Sequence, residues 1–462
     1  MKVEKKREKQ NFIWRKILIV FGWILLWQIA ALLIDNSILL ETPIAVLKRL
    51  FEDLQTREYY KTVGNTMLYI NAGFLLGLIF AILCSIFAWK QKIIEEILAP
   101  LVQFLKAAPI ACFIVLLLIW AGSKNLAFYV ALIVAFPPIY LNLLEGLGQI
   151  PKGQMEVAKV FAMPLKNRMR FIYLPALEPY FISAVRLTVG MVFKAGIAAE
   201  IIGTPDYSMG ERIYMSKIYL DTAGVLSWLV TIIFVSFLCE KFYVKVTNFY
   251  FHKKPAGKLK SKNNKSYEMK NLMMKDLTVS FGKEKILDNV TCFFETGKTY
   301  CIIGASGIGK TTFLRSICGL QKIEKGDMTK FEGVKSFVFQ DNRLFEEYTA
   351  GENVFATGQC TMTLEAVEKA LEEILPPEAL KKPIREYSGG MKRRVEIARA
   401  MLSDSVIVLL DEAFNGLDEA TKENTITFIK KYQKGRTILF TTHLKDDVRK
   451  MQGEEVYLWK NE

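Results

Sequence analysis

Histidine is almost missing from these 462 residues: there are two, His252 and His443. With so few, neither is background, and each has to be read on its own position. The seven cysteines include no C-x-x-C pair. That argues against a disulfide framework and for reduced packing residues in a cytosol-facing protein. No internal repeat is present, so a stacked-repeat architecture is not expected. The first apolar run, 17–34, ends at Ile34-Asp35-Asn36 without a small-x-small cleavage site. We therefore expect a retained membrane helix there, not a signal peptide.

What the chain has in quantity is apolar and basic residues. Hydrophobic residues make up 51%, the formal net charge is +14, and the mean hydropathy is +0.21. Length alone allows about three domain-sized units. The lysines and arginines cluster beside apolar runs, which favours a lipid bilayer over nucleic acid as the partner. Six runs are each near the ~20 residues that cross a hydrocarbon core: 17–34, 63–89, 98–121, 126–147, 180–203 and 224–244. Pro109 and the Pro137-Pro138 pair are expected to bend two of them. With six spans, the basic N-terminus, Lys90 and Lys92, the 152–170 loop and His252-Lys253-Lys254 all fall on one side. By the positive-inside rule that side is cytoplasmic, with both termini on it. Segments 35–62 and 204–223 then face outward, and 42–51 reads as an amphipathic helix outside.

The polar, lysine-rich stretch 251–268 reads as a linker, or as a segment lying on anionic headgroups. It divides a membrane domain, 1–250, from a soluble α/β domain, 269–462, in which short strand-like and helical runs alternate. Within that domain Gly304-Ala305-Ser306-Gly307-Ile308-Gly309-Lys310-Thr311-Thr312 follows an apolar strand-like run and precedes a helical one. Strand, glycine loop and helix are the context of a phosphate-binding loop. The glycines let backbone N–H groups converge on phosphate oxygens, and the helix start adds positive potential. Lys310 supplies a full charge at the β- and γ-phosphates, and Thr311 a hydroxyl for Mg²⁺.

Further along, Ser388-Gly389-Gly390-Met391 opens an arginine-rich helix and offers N–H groups and a hydroxyl to a phosphate. An apolar strand, 406–410, ends in Asp411 and Glu412. Asp411 suits Mg²⁺ through water, and Glu412 suits a general base on an attacking water. In the membrane part, Lys194 lies inside the 180–203 run, followed by Glu200. An ionisable group within a span is a functional candidate by default, although Lys194 pairing with a neighbouring helix or pointing into bundle water explains it equally well.

Taken together these residues resemble the ABC transporters of importer type. Ser388–Met391 is similar to the LSGGQ signature, departing at Tyr387 and Met391, and Asn415-Gly416-Leu417-Asp418 resembles the D-loop. The loop at 150–175, with Glu156-Val157-Ala158 and then Ala162 where a glycine is usual, resembles the EAA coupling loop of importer permeases. Asn65-Thr66, Gly73-Phe74, the surroundings of Glu200 and Asp341-Asn342-Arg343-Leu344-Phe345 resemble the nitrate/sulfonate/taurine branch. The resemblance implies a six-helix membrane bundle like the type I importers, fused to an α/β P-loop NTPase. It implies ATP as the nucleotide, with Phe281 stacking on the purine, Gln340 reaching Mg²⁺ and the attacking water, and His443 on the γ-phosphate. It further implies a homodimer in which ATP bridges Lys310 of one copy and Ser388 of the other. Such an assembly is fed by a separate extracytoplasmic binding protein, in the cytoplasmic membrane of a bacterium. The implied cargo is nitrate, a sulfonate, taurine or a vitamin precursor. The outward segments mix acids with bases and show no preference for a ligand's sign. An exporter or an ATP-driven complex that transports nothing is the alternative; the EAA-like loop and the short cytoplasmic loops argue against an exporter. The stretch between Lys310 and Gln340 looks trimmed. The segment between Gln340 and Ser388 is expected to form the helical lobe that receives the coupling loop, and no regulatory domain is expected beyond His443.

Overall fold

The computed structural model describes residues 2–251, 269–282, 284–305, 307–330 and 333–458, with the side chains of residues 2–13 and of Phe281 outside the description. The expected linker lies almost wholly outside the described residues, as do Ser306 and His252. Contacts divide the chain into two units: residues 1–148 with 177–252, and residues 149–176 with 253–462.

The first unit is helical. Its elements are α1 (Lys2–Ile34), α2 (Pro43–Leu54), α3 (Arg57–Lys90), α4 (Lys92–Ala107), α5 (Ile110–Ala121), α6 (Leu126–Gly148), α9 (Leu174–Gly203, from residue 177), α10 (Met209–Ile218) and α11 (Thr222–Phe251). Among the described residues, five helices are long and apolar enough to cross a membrane, or six if α4 and α5 count as one broken span. The expected span 98–121 falls on α4 and α5, which meet at 102°, so the bend expected at Pro109 is a sharp break. Ala108 takes an extended backbone (ψ 135°) and Pro109 follows it before α5 begins. A proline has no N–H to continue the helix and pushes its predecessor out of helical geometry. The Pro137-Pro138 pair does not have that effect, and α6 runs through both prolines unbroken. There the helix is packed along α3, where the backbones approach closely. A Cβ at Gly73 would lie 2.2 Å from the Phe128 carbonyl oxygen, and one at Gly77 2.9 Å from the Ala135 Cβ. Small residues permit that approach, which is how helices gain contact where lipid is as apolar as a side chain. Around it Ile70, Phe74, Phe136, Tyr140, Val189 and Phe193 form a buried core. On α1, by contrast, Trp14 to Ile34 is almost entirely exposed, an apolar surface suited to acyl chains.

The second unit contains the 149–176 loop and the α/β domain. Three strands, β1 (Leu272–Phe281), β2 (Glu284–Phe294) and β4 (Lys325–Met328), form an antiparallel sheet in the order β2-β1-β4. A parallel sheet of β3 (Thr299–Ile303), β5 (Lys335–Val338), β6 (Ile407–Asp411), β7 (Thr437–Thr441) and β8 (Glu454–Tyr457) runs in the order β5-β6-β7-β3-β8. Every residue of β6 and β7 is buried, as strands covered on both faces require. The helices are α12 (Lys310–Ile317), α13 (Ala350–Ala356), α14 (Leu364–Leu371), α15 (Gly389–Leu402), α16 (Glu419–Lys431) and α17 (Lys445–Met451), with α7 (Lys152–Val160) and α8 (Leu165–Arg168) in the loop.

The close approach of α3 to α6 gives a direct expectation. Gly73→Ala forces the two backbones apart and lowers stability by about 1–3 kcal/mol, read as an earlier thermal transition of the purified protein. A variant melting with the parent would show that the contact is loose.

Candidate functional site

Parallel strands deliver their carboxyl ends to one edge of a sheet, where open α/β folds bind ligands. Here four such ends converge. The segment after β3 carries Gly304 to Thr312, and the segment after β5 carries Gln340. The end of β6 carries Asp411 and Glu412, and the end of β7 carries Thr441 and His443. The sheet order thus assembles residues up to 139 positions apart in the chain, from Gly304 to His443.

The glycine loop has the conformation its composition predicts. Gly307 and Gly309 have φ of 83° and 102°, and Gly309 caps α12. Lys310 is buried, and its Nζ donates to the carbonyls of Gly304 (2.7 Å) and Ala305 (3.0 Å). Ile308 packs over Gly304, where a Cβ would approach it to 2.8 Å. Thr311 and Thr312 fall in the first turn of α12.

Asp411 is 1% exposed. Oδ1 accepts from the Thr441 hydroxyl at 2.9 Å, while Oδ2 makes no hydrogen bond among the described residues. Burial raises this carboxyl above its ordinary value, against the Thr441 bond. Glu412 stands in the left-handed region (φ 47°), with its N–H on the Thr441 hydroxyl at 2.9 Å. Its Oε2 accepts from Gln340 Nε2 (3.2 Å) and Asn415 Nδ2 (2.8 Å), and its Oε1 lies 3.0 Å from His443 Nε2. Three of the four expected catalytic residues therefore meet on one carboxylate. A non-glycine residue held at positive φ by its neighbours marks the kind of strain that functional sites carry.

Other expected residues lie elsewhere. Ser388 caps α15, its hydroxyl accepting from Met391 N at 3.4 Å, and Ser388 and Gly389 are exposed. Among the described residues, 388–391 form no hydrogen bond with the glycine loop or with Glu412. Asp418 caps α16, accepting from Thr421 N (3.0 Å) and from its hydroxyl (2.8 Å). The backbone bond holds its carboxyl below the ordinary value. Phe281 ends β1, and its ring lies outside the description.

The 149–176 loop is seated on the α/β domain by charge and by shape. Glu156 accepts from Nη1 and Nη2 of Arg315, at 3.0 and 2.6 Å, and also from Arg343 Nη1. Burial alone would raise Glu156; the two guanidiniums outweigh it and hold the carboxyl below its usual value. Lys159 donates to Gly319 O at 2.6 Å, and Asn167 to the carbonyls of Phe355 (3.3 Å) and Ala356 (3.0 Å) at the end of α13. Phe171 packs on Phe345 and Tyr348. Ala158 is fully buried. Ala162 has φ 46°, and its carbonyl accepts from Gln359 Nε2 at 3.3 Å. A left-handed backbone explains why glycine is the natural occupant there, and alanine is strained by roughly 1–2 kcal/mol.

In the membrane unit Glu200 is 2% exposed and accepts from Thr66 Oγ1 (3.0 Å) and Gly210 N (3.1 Å), so it caps α10 from the side. It also borders a cavity of about 590 Å³ that Lys61, Asn65, Lys124 and Asp206 help to line. Lys194 is exposed on α9.

Sequence reasoning passed over Thr441, Arg315 and the partner role of Arg343. Thr441 is hidden because a threonine ending a strand is ordinary. Arg315 leaves a trace, one basic residue five positions past Lys310 on a short helix, but nothing that names its partner 159 residues earlier.

Residues 287–415 match the family described as ABC transporter, and residues 73–244 match the binding-protein-dependent transport system inner membrane component. The aliphatic sulfonates import ATP-binding protein SsuB of Bacillus cereus is 34% identical over 173 residues, covering 35% of this chain and 69% of the relative. The glucose import ATP-binding protein GlcV of Saccharolobus solfataricus is 32% identical, covering 39% and 58%. The Fe(3+) ions import ATP-binding protein FbpC of Streptomyces avermitilis is 30% identical, covering 37% and 55%. The chain thus spans between about half and two thirds of the length of these relatives. Among solved structures, the dimeric structure of a bacterial ABC transporter cassette is 27% identical, covering 40% of this chain and 94% of that one, with a TM-score of 0.37.

The carboxylate at 412 is the test of the site. Glu412→Gln should leave nucleotide binding in place and lower the hydrolysis rate by about 10²–10⁴-fold, the usual worth of a positioned general base. Hydrolysis at the parent rate would take Glu412 out of that role.

Proposed function

Since the chain belongs to the ABC transporter family, a binding-protein-dependent permease domain joined to its own ATPase, we propose that it imports a small solute as a homodimer driven by ATP. The observation that carries this reading is the exposed helix start at Ser388, unbonded to the loop of Lys310 among the described residues. The exposed helix start at Ser388 offers a hydroxyl and backbone N–H groups to a phosphate, yet bonds to nothing in the glycine loop of its own chain among the described residues. Two copies related by a two-fold axis bring each signature onto the other's phosphate loop. The exposed lysine at 194 supports the same arrangement. A charge within a span is costly against acyl chains and is at ease beside a second copy or a water path between two.

Phosphate oxygens would rest on the N–H groups of 304–312 and on Lys310, and Glu412 would take the proton of the attacking water while Gln340 and His443 orient its carboxylate. The buried carboxylate of Asp411 and the hydroxyl of Thr311 beside it fit a hard, oxygen-preferring cation such as Mg²⁺, which would neutralise charge on the phosphates when bound. Differential affinity of ATP for the closed pair is the driving term, and the 149–176 loop, continuous with α6 and α9, is the segment that carries closure to the spans. Both termini then lie on the cytoplasmic face, where ATP is, in agreement with the basic residues flanking the spans. The permease description supports a separate extracytoplasmic binding protein and a bacterial inner membrane. The sulfonate-import relative supports the nitrate, sulfonate, taurine or vitamin-precursor class of cargo. The ATPase relatives named for glucose and iron concern quite different solutes, so the ATPase half narrows the cargo little.

Two measurements test this reading. Mixing Lys310→Ala chains with Ser388→Arg chains should recover hydrolysis that neither variant shows alone, because one mixed pair holds one intact site; no recovery would speak against a shared site. In proteoliposomes with ATP inside and a sulfonate-loaded binding protein from the same genome outside, labelled solute should accumulate. Outward movement instead would favour the exporter.

A further inference from the structure

A continuous series of charge-assisted hydrogen bonds runs from the loop carboxylate, Glu156, to the backbone of Glu412. Arg343 bonds to Glu156 through Nη1, while its guanidinium stacks 3.8 Å over the Phe339 ring. The backbone N–H of the same arginine donates to Glu396 Oε1 at 2.6 Å. Glu396, fully buried on α15, accepts through its other oxygen from Arg393 Nη1 at 3.1 Å. Arg393 is itself 5% exposed and donates to three carbonyls: Phe339 from Nη1, and Asp411 (3.1 Å) and Glu412 (2.9 Å) from Nη2. Those carbonyls lie immediately before Gln340 and on the two acids that end β6.

A buried ion pair is seldom retained for stability, because desolvation offsets most of its attraction. Here its donors are placed where they matter for geometry. Glu412 has left-handed backbone, so its carbonyl has left the strand ladder; it accepts from the Asn415 N–H at 3.2 Å and, more closely, from Arg393. One guanidinium therefore fixes the peptide before Gln340 and the peptide after Asp411 with respect to each other. The side chains of Gln340 and Glu412 meet at 3.2 Å just beyond those two points.

We infer that Arg393, held by Glu396, is a positioning residue for hydrolysis, and that it relays the seating of Glu156 to the side chains of Gln340 and Glu412. The inference rests on reading 149–176 as the coupling loop. Coupling along such a path is measured by a double-mutant cycle.

The experiment uses the full chain in lipid nanodiscs. The neutral pair Arg393→Gln with Glu396→Gln should lower kcat for ATP about tenfold or more, as small misplacements of a reacting group do, with KM unchanged. Glu156→Ala should lower kcat in the parent and change nothing further in the neutral-pair background. Arg393→Lys, which keeps the charge, should recover part of kcat, and it replaces the neutral pair in the cycle if that variant does not assemble. Effects that multiply, or a raised KM with kcat unchanged, would overturn the relay while leaving the coupling loop intact. A Glu156→Ala chain indistinguishable from the parent would overturn the loop reading, and the relay with it.

Discussion

One carboxylate between two guanidiniums holds the 149–176 loop in place. Glu156 is bonded by Arg315, on the helix that begins with Lys310, and by Arg343, three residues beyond Gln340. Charge-assisted bonds of this kind are worth on the order of 1.5–3 kcal/mol each. The carboxyl stays ionised because the arginines outweigh its burial. Whatever moves the glycine loop or the Gln340 segment therefore pulls on the same atom. Lys159, Asn167 and Phe171 add backbone bonds and ring contact around that anchor, so the loop is seated at several points and guided by one.

The chemistry sits on the other side of those two segments. A parallel sheet with its strand ends at one edge brings together a lysine, an amide, two acids and a histidine that the chain keeps far apart. Thr441 sets the register of the two acids, with its hydroxyl between Asp411 Oδ1 and the Glu412 N–H. That bond and the strained backbone of Glu412 fix where its carboxylate points, and three neighbours then hold it. Ser388 forms no hydrogen bond with this cluster among the described residues, and the proposed pairing of two copies is argued from that.

Much of this was legible in the sequence because phosphate chemistry demands residues at fixed spacing. The glycines of 304–309, Lys310, the apolar strand ending in Asp411 and Glu412, and the serine before α15 are each tied to a local backbone requirement, and local requirements survive translation into structure. The broken span at Ala108-Pro109 was less legible, since a proline signals a bend without its angle, and the Pro137-Pro138 pair shows that packing along α3 can keep a helix whole. Least legible were the long-range partners. Nothing in the spacing of Arg315, Arg343, Arg393 or Thr441 states what each will face, because that is settled by the sheet order and the loop's docking. Ala162 is a middle case: its departure from glycine was visible, and the left-handed backbone beneath it supplies the reason.

The account depends most on nucleotide being held between two copies. Native mass spectrometry of the Glu412→Gln chain in nanodiscs, with ATP and Mg²⁺ present, counts chains and nucleotides in one spectrum. Particles of two chains carrying two ATP are the predicted result. Single chains that retain ATP as firmly as any larger assembly would contradict it.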